Sequence, residues 1–249
     1  MKEIKKKLAI ISMSGGLDSA TLCAEALNRG YNVFVLNFNY GQKNAVEMEA
    51  FKELYNYFKN NYKSEGKIIG HKELDLRGLF GEFLSLWQTM RDDGSMKTVS
   101  NHEFYTPSRN LLFSVISAVV GEIIAISDKY DEVEIGLGIH LHTKEAYGEH
   151  KNYWDITSDF AKRIGQVFHL NDVVKMDVFT PFVSQEKKDI VTRALELGVP
   201  WAKTWTCYNP QLENGYWVPC NKCEACVERR LAGEKARVPD INDYKIKKD

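Results

Sequence analysis

Lys7-Leu8-Ala9-Ile10-Ile11-Ser12-Met13-Ser14-Gly15-Gly16-Leu17-Asp18-Ser19 runs from a short apolar segment through a glycine pair into the start of a helical pattern. The bounded run Lys7 to Ser12 has the length and character of a strand buried in a parallel sheet. Gly15 and Gly16 let the backbone turn tightly and approach a ligand with no side chain in the way. The first amides of the following helix have no partners within it and lie at the positive end of its dipole. Together these features form an anion site suited to pyrophosphate. Ser14 and Ser19 add hydroxyl donors, and Asp18 could cap the helix or help hold a magnesium ion. The Gly-Lys-Ser/Thr ending of a Walker loop is missing, as is the G-x-G-x-x-G of a dinucleotide fold. The bland alternative is an ordinary glycine turn capped by Asp and Ser.

Outward from this unit, Leu17 to Arg29 reads as a helix stopped by Gly30, and Tyr31 to Asn37 as a second strand. Ala45 to Tyr62 places Met48, Phe51, Leu54, Tyr55 and Phe58 at helical spacing, and a third strand follows at Lys67 to Leu76. Arg77 to Tyr105 is poorly patterned, with a helix over Phe80 to Met90 and then a polar loop. A long apolar helix spans Arg109 to Ser127, strands fall at Glu132 to Ile139 and Val173 to Val178, and a helix covers Glu186 to Leu197. Strands alternating with helices predict an α/β fold, a doubly wound parallel sheet covered on both faces. Residues 1–199 form this nucleotide-binding domain. From Pro200 the chain turns to aromatics, turns and cysteines, so 200–249 is expected to be a small zinc-binding subdomain and tail.

With 44% hydrophobic and 27% charged residues, the chain has the balance of a soluble globular protein. A net charge of -1 gives no general attraction to nucleic acid or anionic membrane. Its apolar stretches read as shorter than the roughly 20 residues of a membrane span. The Lys-rich start, Met1 to Lys7, carries no signal-peptide cleavage pattern, and a cytoplasmic location is expected.

Four of the five cysteines cluster as Cys207, Cys220, Cys223 and Cys226. This C-x12-C-x2-C-x2-C spacing can wrap a tetrahedral Zn²⁺. An iron–sulfur cluster is the rival, and the lack of a further Cys-Pro downstream favours zinc. Cys23, among Leu22, Ala24 and Leu27, reads as a core residue.

At Ser14-Gly15-Gly16-Leu17-Asp18-Ser19 the chain resembles the PP-loop ATP pyrophosphatases, of adenine nucleotide α-hydrolase-like fold, with their S-G-G-x-D-S loop. Asn39-Tyr40-Gly41-Gln42-Lys43, Pro107-Ser108-Arg109-Asn110, Leu195 to Pro200 and Thr204-Trp205-Thr206-Cys207-Tyr208 narrow the resemblance to the QueC branch, over Leu8 to about Arg230. The resemblance implies an ATP-dependent ligase that turns 7-carboxy-7-deazaguanine and ammonia into the nitrile, through an adenylated carboxylate and an amide. It also implies one zinc per subunit and a homodimer. Carried over by position, Ser14, Asp18, Arg109 and Lys187 form the catalytic set. Ser14, Gly15, Gly16, Leu17, Asp18, Ser19, Asn39 and Gln42 hold the nucleotide, with Tyr40 near it or at a subunit contact. For Lys187, the adjacent Lys188 makes a solvated helix face an equal reading.

The chain also departs from that branch. Ser108 stands where the family usually has glycine, and the family's Y-S-G-Y-P-D-C-R-P-like stretch gives way to Ile139-His140-Leu141-His142-Thr143 and a longer segment. There Tyr153 or Trp154 would stack on the deazaguanine and Asp155 would pair with its guanine-like edge, unless Asp155 is a helix cap. His140 and His142 share a strand face, either toward substrate or a second metal, or as surface residues. The changed stretch opens an alternative: an enzyme that stops at the amide, or joins the base to another amine or protein acceptor in a phage or defence setting. A tRNA-modifying PP-loop enzyme would need a free catalytic cysteine. A nucleic-acid-binding zinc module, with Lys222, Arg229, Arg230, Lys235 and Arg237 as its patch, fits poorly with the overall charge.

Overall fold

The computed structural model describes residues 6–41, 46–81, 106–141, 153–238 and 241–248. Gln42, His142 and most of the helix expected over Phe80 to Met90 lie outside them, while 77–81 is helical. Five strands form a parallel sheet in the order β3-β2-β1-β4-β5. They are β1 Lys7–Ser12, β2 Asn32–Asn39, β3 Lys67–Asp75, β4 Glu132–Gly136 and β5 Lys175–Phe179. The chain winds outward from β1 to β3, then returns to the other side of β1 for β4 and β5. This is the doubly wound arrangement, and its direction reverses between β1 and β4, where the strand ends open a crevice.

Both faces of the sheet are covered. Helices α1 (Leu17–Asn28), α2 (Val46–Asn60) and, later in the chain, α5 (Lys187–Glu196) share one core with Ala9 and Ile11 of β1. Helices α3 (Arg109–Asp128) and α4 (Ser158–Phe168) share the other with Leu8 and Ile10. Alternate residues of one strand thus feed two cores, each fully buried Leu or Ile contributing about 1.5–3 kcal/mol.

Three features differ from the sequence reading. Helix α4 was not expected. Thr157 starts it by accepting from the Phe160 amide at 3.1 Å, and Phe160, Ile164 and Phe168 bury at four-residue spacing. Helix α3, by length and composition, is long and apolar enough to cross a membrane. It lies against β1 and β4, burying Phe113, Ser114, Ser117, Gly121 and Ala125, while Val115, Val119, Ile123 and Ile126 are exposed. Arg229, read as one of a basic patch, is fully buried.

Arg229 lies on α6 (Glu224–Lys235), which packs in the C-terminal region with an antiparallel ribbon of β6 (Gln211–Glu213), β7 (Tyr216–Val218) and β8 (Ile246–Lys247). All three guanidinium nitrogens donate, to the carbonyls of Ile241, Thr204 and Trp201 and the hydroxyls of Thr204 and Thr206. The Tyr244 ring covers it at 4.1 Å. A buried guanidinium is tolerable because its donors are met. Val46 and Ala50 of α2 join Trp205, Cys207, Cys226, Tyr244 and Ile246 in a third core. The Trp205 amide donates to the Gly15 carbonyl at 2.9 Å, fastening this region to the glycine loop.

Candidate active site

At the crevice lies a cavity of about 280 Å³. Ser14 and Gly16 to Ser19 border it, with Tyr40, Arg109, His140 and Lys187 around them and Thr206 and Glu228 from the C-terminal region. Gly15, at φ +100°, turns away from the cavity. A Cβ there would lie 2.4 Å from the Glu47 carbonyl oxygen and 2.9 Å from the Phe51 nitrogen, so the loop rests directly on α2. At Gly16 a Cβ would sit 3.4 Å from both Ser14 Oγ and the Trp205 oxygen, an ordinary contact. The protein itself therefore does not require glycine at position 16; a ligand approaching its backbone would.

The loop holds itself with long hydrogen bonds. Ser19 Oγ accepts from the Ser14 amide at 3.2 Å, Ser14 Oγ accepts from the Gly16 amide at 3.3 Å, and the two hydroxyls are 3.3 Å apart. At that length they are weak enough to exchange for phosphate oxygens. Leu17 contributes only backbone, since its side chain is in the core.

Lys187 is 3% exposed, and its Nζ donates to both Asp18 carboxylate oxygens at 2.6 Å. Burial alone would push the Asp18 carboxyl up; Lys187 and then His140 reverse this and hold it well below the ordinary range. His140 is also buried, against the reading of it as a surface residue, with Nε2 3.5 Å from Asp18 Oδ2. Arg109 Nη1 donates to the Tyr40 hydroxyl at 3.0 Å, which holds the guanidinium at the cavity. Asn39 does not line it; its side chain accepts from the Gly41 amide at 3.3 Å and shapes the turn after β2.

Glu47, at the cavity edge, was not singled out in the sequence. Burial raises its carboxyl to about 7, against the pull of Arg109. Its folded pKa thus exceeds its ordinary value of 4.5, so its contribution to stability is full below pH 4.5 and is lost as pH rises through about 7. Glu47→Gln is expected to raise the melting temperature at pH 8 and to have little effect at pH 4.5, read by calorimetry at both.

Tyr153, Trp154 and Asp155 fall beside the cavity, where Ile156 alone of this turn borders it. Trp154 meets the Phe160 ring edge-on and Tyr153 packs on the second core. Asp155, 3% exposed, accepts from the Asn110 amide at 3.1 Å, and its carbonyl accepts from Asn110 Nδ2 at 3.2 Å. It therefore caps α3, the neighbouring helix, one residue beyond Arg109. Ser108 precedes that helix with φ 55°, a left-handed conformation that glycine adopts more readily than serine. Asp155→Ala is expected to cost about 1 kcal/mol of stability and Asp155→Asn much less, because an amide oxygen still accepts. Thermal melting and the Michaelis constants of both variants check this; a stable Asn variant with a large loss of affinity for the base would instead assign Asp155 to substrate.

The four sulfurs of Cys207, Cys220, Cys223 and Cys226 all lie within 4.8 Å of one another, and Cys207 and Cys223 are 4.0 Å apart. Tetrahedral zinc, with Zn–S of about 2.3 Å, needs edges near 3.8 Å. Amides of Asn209 and Cys220 donate to the Cys207 sulfur at 3.3 and 3.2 Å, and that of Cys223 to Cys220 at 3.4 Å, which favours thiolates. The donor set and spacing fit zinc. Cys23 is buried in the first core, its thiol pushed up by burial.

The parallel sheet and the glycine loop define an α/β protein with a cavity lined by charged groups of both signs at the switch point of its sheet. A family model described as "Queuosine biosynthesis protein QueC" matches residues 8–237. The chain belongs to the QueC family. The 7-cyano-7-deazaguanine synthase of Caldicellulosiruptor bescii is 31% identical over 241 residues, 97% of this chain and 99% of that one. That of Pseudoalteromonas atlantica is 29% identical over 242 residues, covering 94% and 97%. That of Rickettsia felis is 30% identical over 250 residues, covering 96% and 99%.

Proposed function

We propose that this chain is an ATP-dependent C–N ligase that converts 7-carboxy-7-deazaguanine and ammonia into 7-cyano-7-deazaguanine. The observation that carries the reading is the glycine loop with Lys187 and Asp18 paired beside it in one cavity, in a chain of this family. The substrate carboxylate attacks the α-phosphorus of ATP, and pyrophosphate leaves onto the loop amides. Ammonia displaces AMP to give the amide, which a second ATP activates before its oxygen leaves with AMP and the nitrile forms. The protein positions the reactants and offsets charge; it supplies no covalent nucleophile. Ser14 to Ser19 hold the phosphates, and Arg109 and Lys187 balance the charge that develops there. Mg²⁺ enters with the nucleotide.

Zinc at the four cysteines has a structural role in this reading, since a closed four-thiolate site leaves no open position for chemistry. The exposed stripe of Val115, Val119, Ile123 and Ile126 on α3 supports a homodimer, which sedimentation would test. Reduced thiols fit a cytoplasmic enzyme. The central test is product analysis: with the deazaguanine acid, ATP, magnesium and ammonium, AMP, pyrophosphate and the nitrile should form. ADP as the nucleotide product would reject the reading; amide as the final base would restrict it to the first half-reaction.

A further inference from the structure

Asp18 is faced by cationic groups from two neighbouring segments. Lys187 opens α5, and His140 lies on the segment that leaves β4. A parallel bridge between Leu141 and Glu186, with the Leu141 amide donating to the Gln185 carbonyl at 3.0 Å, ties these segments together. The β4 segment is also pressed onto the loop: a Cβ on Gly138 would lie 3.2 Å from the Ser19 nitrogen. His140 is therefore held in place, 7% exposed, at the cavity.

Its ring is polarised by its partners. Nδ1 lies 2.8 Å from the Leu141 carbonyl oxygen, which can only accept, so Nδ1 carries a proton. Nε2 faces Asp18 Oδ2 at 3.5 Å, an ion-pair distance to a second acceptor. A neutral ring would turn a lone pair toward the carboxylate, whereas an imidazolium turns a donor. Burial would lower the pKa of His140, but the Asp18 carboxylate more than reverses this. Asp18 in turn lets two like charges stand side by side, where alone they would repel.

We propose that His140 is a second cationic group of the nucleotide site, which with Lys187 receives the polyphosphate of ATP and offsets the charge of the departing pyrophosphate. The inference rests on the ATP-cleaving reading above. In that step the bond from the carboxylate oxygen to the α-phosphorus forms and the bond from that phosphorus to the bridging oxygen breaks. The electron pair leaves on the pyrophosphate oxygen, and no oxidant or reductant takes part. His140 does no proton transfer; with its Nδ1 proton on the Leu141 carbonyl and its Nε2 proton turned to Asp18, it acts through its positive charge beside the place where negative charge gathers.

The test compares wild type, His140→Asn and His140→Lys by calorimetric binding of inorganic pyrophosphate and by steady-state kinetics. His140→Asn is expected to weaken pyrophosphate binding about tenfold, the effect of losing one nearby positive charge in a partly buried site, and to lower kcat at least as much. The Michaelis constant for the deazaguanine acid should stay near its wild-type value, and His140→Lys should recover much of the loss. Should the Asn variant melt early, His140→Gln, measured at low temperature in the same binding assay, keeps the comparison. Unchanged pyrophosphate affinity and kcat in a folded neutral variant would overturn the role of His140 and leave the ATP reading standing. Wild type that binds no pyrophosphate, or that forms ADP, would overturn the ATP reading and this proposal with it.

Discussion

Lys187→Met is expected to lower kcat by about two to three orders of magnitude, the usual loss when one preorganised group is removed from a developing anion. Its ammonium is 3% exposed and 2.6 Å from both oxygens of Asp18, so no other side chain can take its place without repacking. The same removal leaves a carboxylate without its main partner. Breaking a fully buried ion pair costs roughly 3–5 kcal/mol. Here the loss should be smaller, because the Asp18 side chain is 24% exposed and keeps His140. Low activity in the single variant could thus arise from misfolding. Asp18→Asn combined with Lys187→Met separates the causes, since it removes the orphaned charge along with the cation. The double variant should recover most of the melting temperature and none of the turnover. Recovery of both together would reduce Lys187 to a structural partner of Asp18, and near-normal turnover in Lys187→Met would remove it from the chemistry.

The parts of the site that were legible in the sequence are those that local spacing determines. A glycine pair between an apolar run and a helix predicts a tight turn that presents backbone amides, and the loop does border the cavity. Three cysteines at two-residue intervals, with one upstream, can hardly avoid meeting. Lys187 and Lys188 show where such reading stops. They are adjacent, alike and about 100° apart around one helix, so one points to Asp18 and the other to solvent. His140, Glu47 and Arg229 were missed or misplaced for a related reason. Their burial depends on partners far along the chain: Asp18 for His140, Arg109 for Glu47, and Trp201, Thr204 and Ile241 for Arg229. Asp155 was read as pairing with a base or capping a helix; it caps one, but a helix whose start lies 45 residues earlier in the chain. Helix α4 had a signal, a threonine followed by large apolar residues at four-residue spacing, but at eleven residues its pattern is short. Such a helix is fixed by the core it covers more than by its own propensity.

Cys220→Ser is expected to cost the protein its metal and much of its stability together. A serine hydroxyl is not ionised near neutrality, so it cannot replace the thiolate, and three sulfurs do not close a tetrahedral site. Metal affinity in such sites is itself folding free energy, on the order of 10 kcal/mol, comparable with the whole stability of a domain. Cys207 and Cys226 are also part of the core that joins Trp205 to α2, and the Trp205 amide holds the Gly15 carbonyl. Loosening this cluster should therefore reach the glycine loop. Turnover and melting temperature should fall in parallel, although the proposed chemistry uses no cysteine. Chelation of the wild type provides the reversible version of the same experiment: both properties should fall as zinc is removed and return when it is restored. One zinc per chain, without visible absorbance, is the expected metal content. Iron with a coloured spectrum, or a well-folded active protein that contains no metal, would overturn the assignment. A Cys220→Ser protein that keeps its melting temperature and loses only turnover would instead place the cluster in the reaction itself.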